Sequence, residues 1–272
     1  MKELKLGILG AGNMGGAIAR GYAQASGGSE ELYLFDQDDL KVQQIAVLPG
    51  VTAVSGIEEL VLKSKVLLFA VKPNAFDEVL PQIAAYAEKA EGSSRIYVSI
   101  AAGISIAYLE SKLGAASRIV RVMPNTPAMV GAGMSALARN ANVTDSDFQN
   151  VFRIFESIGR AVEVTEEQIH AVIGLSGSSP AYAYMYIRAL IEDGIRQGLS
   201  PETARLLAAQ STLGAAKMVL DTDISAAQLC INVCSPGGTT IEAVHVLEEK
   251  NFIETVGAAS DAAIAKSKLM TK

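Results

Sequence analysis

Short apolar runs alternate with longer amphipathic segments between residues 4 and 164. The segments 14–25 and 39–48 carry apolar residues at helical spacing. The short runs have the length of buried strands, and the order strand, helix, strand predicts a mainly parallel sheet covered by helices. Six runs are the predicted strands: LKLGIL (4–9), LYLF (32–35), VTAV (51–54), VLLFAV (66–71), IYVSI (96–100) and RIVRVM (118–123). We expect the runs 134–139 and 161–164 to extend the sheet.

The alternation of short apolar runs and amphipathic segments ends near residue 165, and almost every later segment has the periodicity of a helix. The predicted helices cover 166–175, 179–197, 201–220, 224–233, 239–249 and 252–268. They contain few charges, as in AYAYMYIRALI (181–191), and the segment is too short to cover these apolar faces by itself. We therefore predict two domains, 1–165 and 166–272, of which the second forms an intertwined homodimer.

The composition excludes several classes of partner. The 272 residues include 23 Lys and Arg against 29 Asp and Glu, a net charge of -6 without a basic run, which argues against nucleic acid or an anionic membrane surface. No apolar stretch approaches the roughly 18 residues of a membrane-spanning helix, and we expect a soluble, cytoplasmic protein. Cys230 and Cys234 lack nearby histidines, so no metal site is predicted.

A glycine-rich motif, GAGNMG (10–15), directly follows the first predicted strand and opens the first helix. Gly10 permits a tight turn, Gly12 lets the backbone approach a pyrophosphate, and Gly15 lets the helix pack on the strand. The N–H groups at the helix N-terminus then stabilise the phosphate charge. This context predicts an α/β protein in which a Rossmann-type dinucleotide-binding domain with a mainly parallel sheet precedes an all-α dimerisation domain.

An acidic residue, Asp36, ends the second predicted strand in LYLFDQD. An acid at this point receives the ribose hydroxyls and repels a 2′-phosphate, and the first basic residue after it is Lys41, so NADH is favoured over NADPH. Gln37 beside it is a further predicted cofactor contact. The alternative is that Asp36 only caps the helix that begins near Asp38, which would say nothing about the cofactor.

Three later strand ends carry turn residues that suit the same crevice: AVKP (70–73), AAG (101–103) and MPNTP (123–127). Asn125 in the third turn is predicted to face the nicotinamide amide. Lys72 is predicted to reach a ribose or the substrate, with a solvated surface lysine as the alternative.

The chemistry-bearing residues favour reduction of a carbon–nitrogen double bond. Oxidation of an alcohol needs a base, yet His170 and His245 both lie in predicted amphipathic helices where a hydrogen-bonded structural role is expected, and no lysine occurs between Lys112 and Lys217. A protonated imine is already electrophilic and keeps its proton, so it needs only the cofactor, an anchor and a nearby hydroxyl. SGSSPAY (176–182) and SPGGTT (235–240) supply hydroxyls and backbone donors of this kind.

Six motifs together resemble the pyrroline-5-carboxylate reductase family over nearly the whole chain. In order, they are GAGNMG (10–15), AVKP (70–73), AAG (101–103), VMPNTP (122–127), SGSSPAY (176–182) and SPGGTT (235–240). The resemblance implies reduction of 1-pyrroline-5-carboxylate to L-proline with NADPH or NADH, the last step of proline biosynthesis. It also implies dimers that assemble further into larger rings, such as a decamer.

The resemblance also implies which residues bind. In the family the substrate lies between the nicotinamide and the SPGGTT region, with amides at and near Gly238 around the carboxylate and the Thr240 hydroxyl, the predicted catalytic group, by the ring nitrogen. Substrate contacts are expected from Ser178, Asp223, Asn232, Ser235, Gly237, Gly238, Thr239 and Thr240. Cofactor contacts are expected from Leu9, Gly10, Ala11, Gly12, Asn13, Met14, Ala70, Val71, Lys72, Pro73, Ala101, Ala102 and Gly103.

The chain departs from the family pattern at two positions. Ser179 stands where many relatives have glycine, and Asp36 stands where many use small hydroxyl or basic groups suited to NADPH.

Two alternative functions stay open. One is reduction of a six-membered cyclic imine, because one methylene is discriminated by only about 1–3 kcal/mol. The other is a nucleotide-sensing protein without catalysis.

Overall fold

The chain folds into two compact units, which a computed structural model describes for residues 4–89 and 95–272. The first, here the sheet unit, comprises Met1–Gly177 and Ala263–Lys272, and the second, the helical unit, comprises Ser178–Ala262. Strands end close to the predicted domain boundary at residue 165, but residues 166–177 and the last ten residues pack with the sheet.

The sheet has eight strands in the order β3-β2-β1-β4-β5-β6-β7-β8. All neighbouring pairs are parallel except β6 and β7, so the prediction of a mainly parallel sheet is confirmed. The strands are β1 Lys5–Leu9, β2 Glu31–Phe35, β3 Val51–Ala53, β4 Val66–Phe69, β5 Ile96–Ser99, β6 Arg118–Met123, β7 Gly133–Arg139 and β8 Gly159–Glu163. Each lies within or close to one of the predicted apolar runs.

Helices cover both faces of the sheet and make up most of the helical unit. The sheet unit contains α1 Asn13–Ser26, α2 Asp39–Ala46, α3 Ile57–Lys63, α4 Phe76–Lys89, α5 Ile106–Leu113, α6 Asp145–Glu156 and α7 Ile169–Val172. The later helices are α8 Ser179–Arg196, α9 Pro201–Asp221, α10 Ala226–Val233, α11 Thr239–Glu249 and α12 Phe252–Met270. The last eight residues of α12 belong to the sheet unit.

The side chains at helix N-termini differ in a way that bears on function. Side chains of Asp38, Ser105, Thr144, Ser200 and Ser225 cap α2, α5, α6, α9 and α10, each by accepting a backbone N–H. By contrast, α1 and α11 begin after Gly12 and Gly238, which offer no capping side chain. The first N–H groups of these two helices therefore face outward without a side-chain acceptor.

The core of the sheet unit lies on both faces of the central strands. One cluster packs Ile8 of β1 and Leu68 of β4 against α1 and α6, and the other packs Phe69 against Phe76 and α3 to α5. All four residues of β4 are buried, as expected of an interior parallel strand. Burial on both faces fixes the positions of the strand ends.

The predicted helix 166–175 differs from the structure. Only Ile169–Val172 is α-helical, and Ile173–Gly177 continues as a π-helical turn. Gly174 and Gly177 weaken the α-helix, and a Cβ at Gly177 would lie 2.8 Å from Met123 Cε. The wider turn therefore accommodates a close approach to the end of β6.

The helical unit buries very little of its apolar surface within one chain. Across residues 178–262, all of which the structure describes, only Ala204 and Ala208 are buried. Large exposed side chains include Tyr184, Met185, Leu206, Leu213, Ile231, Val233 and Ile253. Within the described ranges, no helix combines the length and apolarity needed to cross a bilayer. The exposed apolar side chains therefore call for a partner surface.

Candidate functional site

Four loops with candidate residues meet at one edge of the sheet. Leu9 lies opposite both Phe35 and Phe69 in register, and Phe69 lies opposite Ser99, so these strands end at the same level. The ladder continues into the loops, where Gly10 N–H donates to the Phe35 carbonyl at 2.8 Å and Ala70 N–H to the Leu9 carbonyl at 2.8 Å. The strand order reverses between β1 and β4: β2 and β3 follow β1 towards one side of the sheet, and β5 and β6 follow β4 towards the other. Parallel α/β sheets bind ligands at such a position.

The turn at residues 10–15 needs its glycines for different reasons. Gly10 has a φ of 107°, and a Cβ there would lie 2.7 Å from the Ala70 carbonyl oxygen. A Cβ at Gly15 would lie 2.0 Å from the Gly10 carbonyl oxygen, so α1 packs directly on the turn. A Cβ at Gly12 would meet no protein atom within 4 Å. Gly12 therefore borders open space at the uncapped N-terminus of α1, whose first turn contains no acid.

This turn fits a dinucleotide pyrophosphate. The amides of Gly12 and the first residues of α1 face outward, and the helix dipole favours an anion there. The predicted contacts Asn13 and Met14 are the first two residues of α1, while Leu9 and Ala11 are buried. The amides of Gly10 and Ala11 already have acceptors in the protein, so the free donors begin at Gly12.

The Asp36 carboxylate joins two turns. Its Oδ2 accepts from the Ala11 N–H at 2.6 Å, and its Oδ1 accepts from the Asp38 N–H at 2.9 Å. The alternative that Asp36 caps α2 is wrong, because the N-cap is Asp38, whose side chain accepts from the Leu40 N–H. The Lys41 ammonium lies 2.9 Å from Asp38 and helps to lower the pKa of that carboxyl. Asp36 thus orders the loop beside the first turn, and its neighbour Gln37 is exposed.

The loops after β4 and β5 have contrasting exposure. Val71 is half-buried and Lys72 is exposed, which agrees with a solvated lysine, while Pro73 begins a 3₁₀ turn over Pro73–Ala75. After β5, the buried Ser99 hydroxyl accepts from the Ala101 N–H at 3.3 Å. Gly103 is buried with a φ of 79°, and Ala102 between them is half-buried.

Asn125 has both ends of its side chain engaged within the sheet unit. Its Oδ1 accepts from the Met134 N–H at 2.8 Å, and its Nδ2 donates to the Ser176 carbonyl at 3.2 Å. The side chain thus connects the turn after β6, the start of β7 and the π-helical turn. The carbonyl oxygen keeps a second lone pair, so the predicted contact with the nicotinamide amide stays a prediction.

The turn before α11 has a tight internal structure. The Gly238 N–H donates to the Ser235 carbonyl at 3.0 Å, with Pro236 and Gly237 between them. Gly237 has a φ of 69°, and proline followed by such a glycine is the preference of a type II turn. Because the turn itself uses the Gly238 amide, the predicted carboxylate contact from that amide requires correction. The outward donors belong to Thr239 and Thr240, the first two residues of α11.

The remaining predicted substrate residues lie along the helical unit. Asn232 is exposed near the end of α10, and its Oδ1 accepts from Gln228 Nε2 at 2.9 Å. Asp223 is exposed between α9 and α10, Ser178 precedes α8, and Thr240 is exposed. Gln228 lies four residues before Asn232 on the same helix, a spacing at which two side chains meet.

The two histidines have different surroundings. His170 Nδ1 lies 2.9 Å from the Ser267 Oγ, which confirms the hydrogen-bonded role, and burial followed by Arg121 lowers its pKa. His245 is exposed on α11. Within residues 4–89 and 95–272, no group of three or more His, Cys, Asp and Glu side chains could hold a metal ion.

Comparison with known proteins matches both parts of the chain. Residues 166–270 match the family described as "Pyrroline-5-carboxylate reductase dimerisation", and residues 5–103 match "NADP oxidoreductase coenzyme F420-dependent". The chain is 40% identical over 272 residues to a pyrroline-5-carboxylate reductase of Escherichia coli, covering 99% of each chain.

Two solved structures of pyrroline carboxylate reductases also superpose on the chain. A pyrroline-5-carboxylate reductase from Coxiella burnetii superposes with a TM-score of 0.93 at 33% identity, covering 100% of both chains. A Plasmodium falciparum pyrroline carboxylate reductase crystallised with NADP bound superposes with a TM-score of 0.85 at 35% identity, again over 100% of both chains.

Proposed function

The chain belongs to the pyrroline-5-carboxylate reductase family, and on that premise we propose which residues of each unit serve its reaction. The chain is an oxidoreductase that reduces 1-pyrroline-5-carboxylate to proline, a conclusion carried by 40% identity over the full length to a reductase of that name. NADH or NADPH, when bound, supplies the hydride. The protein must bind and orient the two reactants, because aligning them accounts for much of such a rate enhancement.

The sheet unit holds the dinucleotide. The outward amides of Gly12, Asn13 and Met14 receive the pyrophosphate, since α1 is uncapped and has no acid in its first turn. The strand-end loops 70–73 and 101–103 border the same edge of the sheet. Asn125 contributes indirectly, by holding the turn after β6 in place.

Asp36 directs the preference towards NADH. Each of its oxygens accepts one backbone N–H, and a carboxylate oxygen can accept a further bond, so a ribose hydroxyl can still be bound. A 2′-phosphate would meet the charge of Asp36 and that of the neighbouring Asp38. The nearest base in sequence, Lys41, is paired with Asp38.

The helical unit holds the substrate through α11. The outward amides of Thr239 and Thr240 bind the carboxylate, and the helix dipole adds about 0.3–1 kcal/mol. The Thr240 hydroxyl accepts from the protonated ring nitrogen. Because that nitrogen keeps its proton after reduction, no base has to remove it, in agreement with the hydrogen bond that engages His170 within the protein. Asn232 and Asp223 are further proposed contacts.

The assembly is a homodimer formed through the helical unit, supported by its exposed apolar side chains and its match to a dimerisation family. A higher ring such as a decamer and a cytoplasmic location stay predictions.

Pyrroline-dependent oxidation of NADH and NADPH by the purified protein tests this function. We expect turnover with both cofactors and a higher kcat/KM with NADH. Asp36→Ser should lower KM for NADPH and raise KM for NADH, since it removes the charge and the tie to Ala11. Asp39→Ser, a nearby exposed acid in the first turn of α2, is the matched control. Absence of turnover despite cofactor binding would refute the reductase function, whereas equal changes in both variants would refute only the role of Asp36.

A further inference from the structure

The chain's last residues pack against the loop after β5. The Lys272 N–H donates to the Gly103 carbonyl at 2.8 Å. Gly103 has a φ of 79°, and a Cβ there would lie 2.6 Å from the Met270 carbonyl oxygen. Backbone therefore touches backbone at this point, and only glycine leaves enough room.

A second contact joins the same residues to the start of α5. The Ser105 hydroxyl donates to the main-chain oxygen of Lys272 at 2.6 Å. The same oxygen of Ser105 accepts from the Tyr108 N–H at 3.0 Å and so caps α5. Lys272 thus forms one hydrogen bond with Gly103 and a second with Ser105.

The Lys272 side chain adds a third, weaker anchor. Its Nζ lies 2.9 Å from Asp77 Oδ2 and 5.6 Å from the centre of the Tyr108 ring, and the Tyr108 hydroxyl donates to Asp77 at 2.6 Å. These groups are largely exposed, so the ion pair contributes little by itself. The backbone contacts at Gly103 and Ser105 are the principal ones.

We propose that residues 270–272 are a positioning element that holds the 101–103 loop in the conformation the dinucleotide requires. At its start the loop is fixed by the Ser99 hydroxyl on the Ala101 N–H, and at its end by Lys272 on the Gly103 carbonyl. Releasing the second tie frees a glycine with wide conformational freedom. The proposal rests on the proposed function of this loop as a cofactor contact, and residues 270–272 act through the loop.

Two pairs of variants test it. Lys272→Pro removes the N–H that bonds to Gly103, and Lys272→Gln removes only the ammonium. Ser105→Ala removes the hydroxyl contact, and Ser105→Thr restores it. Lys266→Gln, at an exposed lysine on α12 six residues before Lys272, is the matched control. For each variant we would measure Kd for NADH without substrate, the hydrogen–deuterium exchange of a peptide spanning 100–106, and Tm.

We expect Lys272→Pro and Ser105→Ala to raise Kd by roughly 3- to 10-fold, the worth of one hydrogen bond, and to speed exchange in the loop. Lys272→Gln should change Kd by less, and Ser105→Thr and Lys266→Gln should leave Kd unchanged. Unchanged Kd and exchange in Lys272→Pro and Ser105→Ala would overturn the proposal, as would a lower Tm at constant Kd.

The two proposals fail in distinguishable ways. If wild-type protein bound neither NADH nor NADPH, the loop would not be a cofactor contact and both proposals would fall. If wild type bound and reduced substrate normally while both variants kept its Kd, only the positioning element would be refuted.

Discussion

The two glycine-led turns, at 10–15 in the sheet unit and at 235–240 in the helical unit, are built on one plan but differ in their surroundings. Each uses its earliest amides internally, through Gly10 and Ala11 in one and Gly238 in the other, and then opens a helix without a side-chain cap. The first is enclosed by backbone at Gly10 and Gly15, whereas Thr239 and Thr240 in the second are exposed.

The two turns differ in how much of the single chain surrounds them. Burial in the sheet unit fixes the first turn from both sides. The helical unit buries only Ala204 and Ala208 within residues 178–262, so little of the protein surrounds the second turn in the single chain.

The largest expected effect comes from overpacking the enclosed turn. Gly15→Ala places a Cβ 2.0 Å from the Gly10 carbonyl oxygen, which should destabilise the sheet unit by about 3 kcal/mol and lower Tm by roughly 6–12 °C. Gly12→Ala meets no protein atom within 4 Å and is the control: its Tm should stay unchanged while its affinity for NADH falls. Calorimetry checks the comparison, and a Gly15→Ala variant with the wild-type Tm would contradict it.

The next effect concerns the apolar surface of the helical unit. Leu206 is 66% exposed on α9, and Leu206→Glu should reduce the mass measured by light scattering to that of a monomer, because a charge in an apolar interface costs several kcal/mol. Val47, 80% exposed at the end of α2 in the sheet unit, supplies the control Val47→Glu, which should keep the wild-type mass. An assembled Leu206→Glu variant would place the interface elsewhere.

A smaller effect separates chemistry from cofactor binding. Thr240→Ala should lower kcat/KM for the pyrroline by roughly 10- to 100-fold, the value of a hydrogen bond to a charged group, with little change in KM for the dinucleotide. Thr240→Ser should retain most activity because it keeps the hydroxyl. Thr255→Ala removes an exposed threonine of the same unit and controls for general effects. If kcat/KM of Thr240→Ala equalled that of wild type, Thr240 would have no role at the ring nitrogen.

The smallest effect is a pH dependence confined to the sheet unit. Burial, followed by Arg121, holds the pKa of His170 below its ordinary 6.5, so the unfolded chain binds this proton more readily than the folded chain. The contribution of His170 to stability is therefore full above pH 6.5 and is lost as pH falls below that value. His170→Gln should reduce the fall in Tm between neutral and mildly acid pH by about 1–2 °C. A His170→Gln variant with the same dependence of Tm on pH as the wild type would refute the assignment.

Periodicity and turn chemistry predicted most of the fold. The eight apolar runs are strands, and the helices after residue 178 begin within about two residues of their predicted starts. Proline or serine marks the starts of α8, α9 and α10. The π-helical turn at Ile173–Gly177 was not foreseen, since it depends on the close approach of Gly177 to Met123 across the fold. A contact between residues so far apart in sequence cannot be predicted from the local pattern.

The candidate site was predicted by residue type, but not by hydrogen-bond partner. The glycines of the first turn have the steric surroundings that their spacing implied. Asn125 and Gly238 were assigned to ligands, and the structure shows that both also bond within the protein, Asn125 to Ser176 and Met134 and Gly238 to Ser235. Which donors remain free depends on tertiary hydrogen bonds, and these join residues too distant in sequence for a motif to specify.

The discontinuity of the sheet unit has a consequence for the order of folding. Its closing contacts, from Lys272 to Ser105 and to Asp77, span 167 and 195 residues of chain. During synthesis, Ser178–Ala262 is made between the two segments of that unit. The contacts of residues 270–272 with the 101–103 loop therefore form only after the whole helical unit has been synthesised. Contacts of such length form slowly. Fully protected exchange at residues 101–103 should therefore be among the last events of refolding.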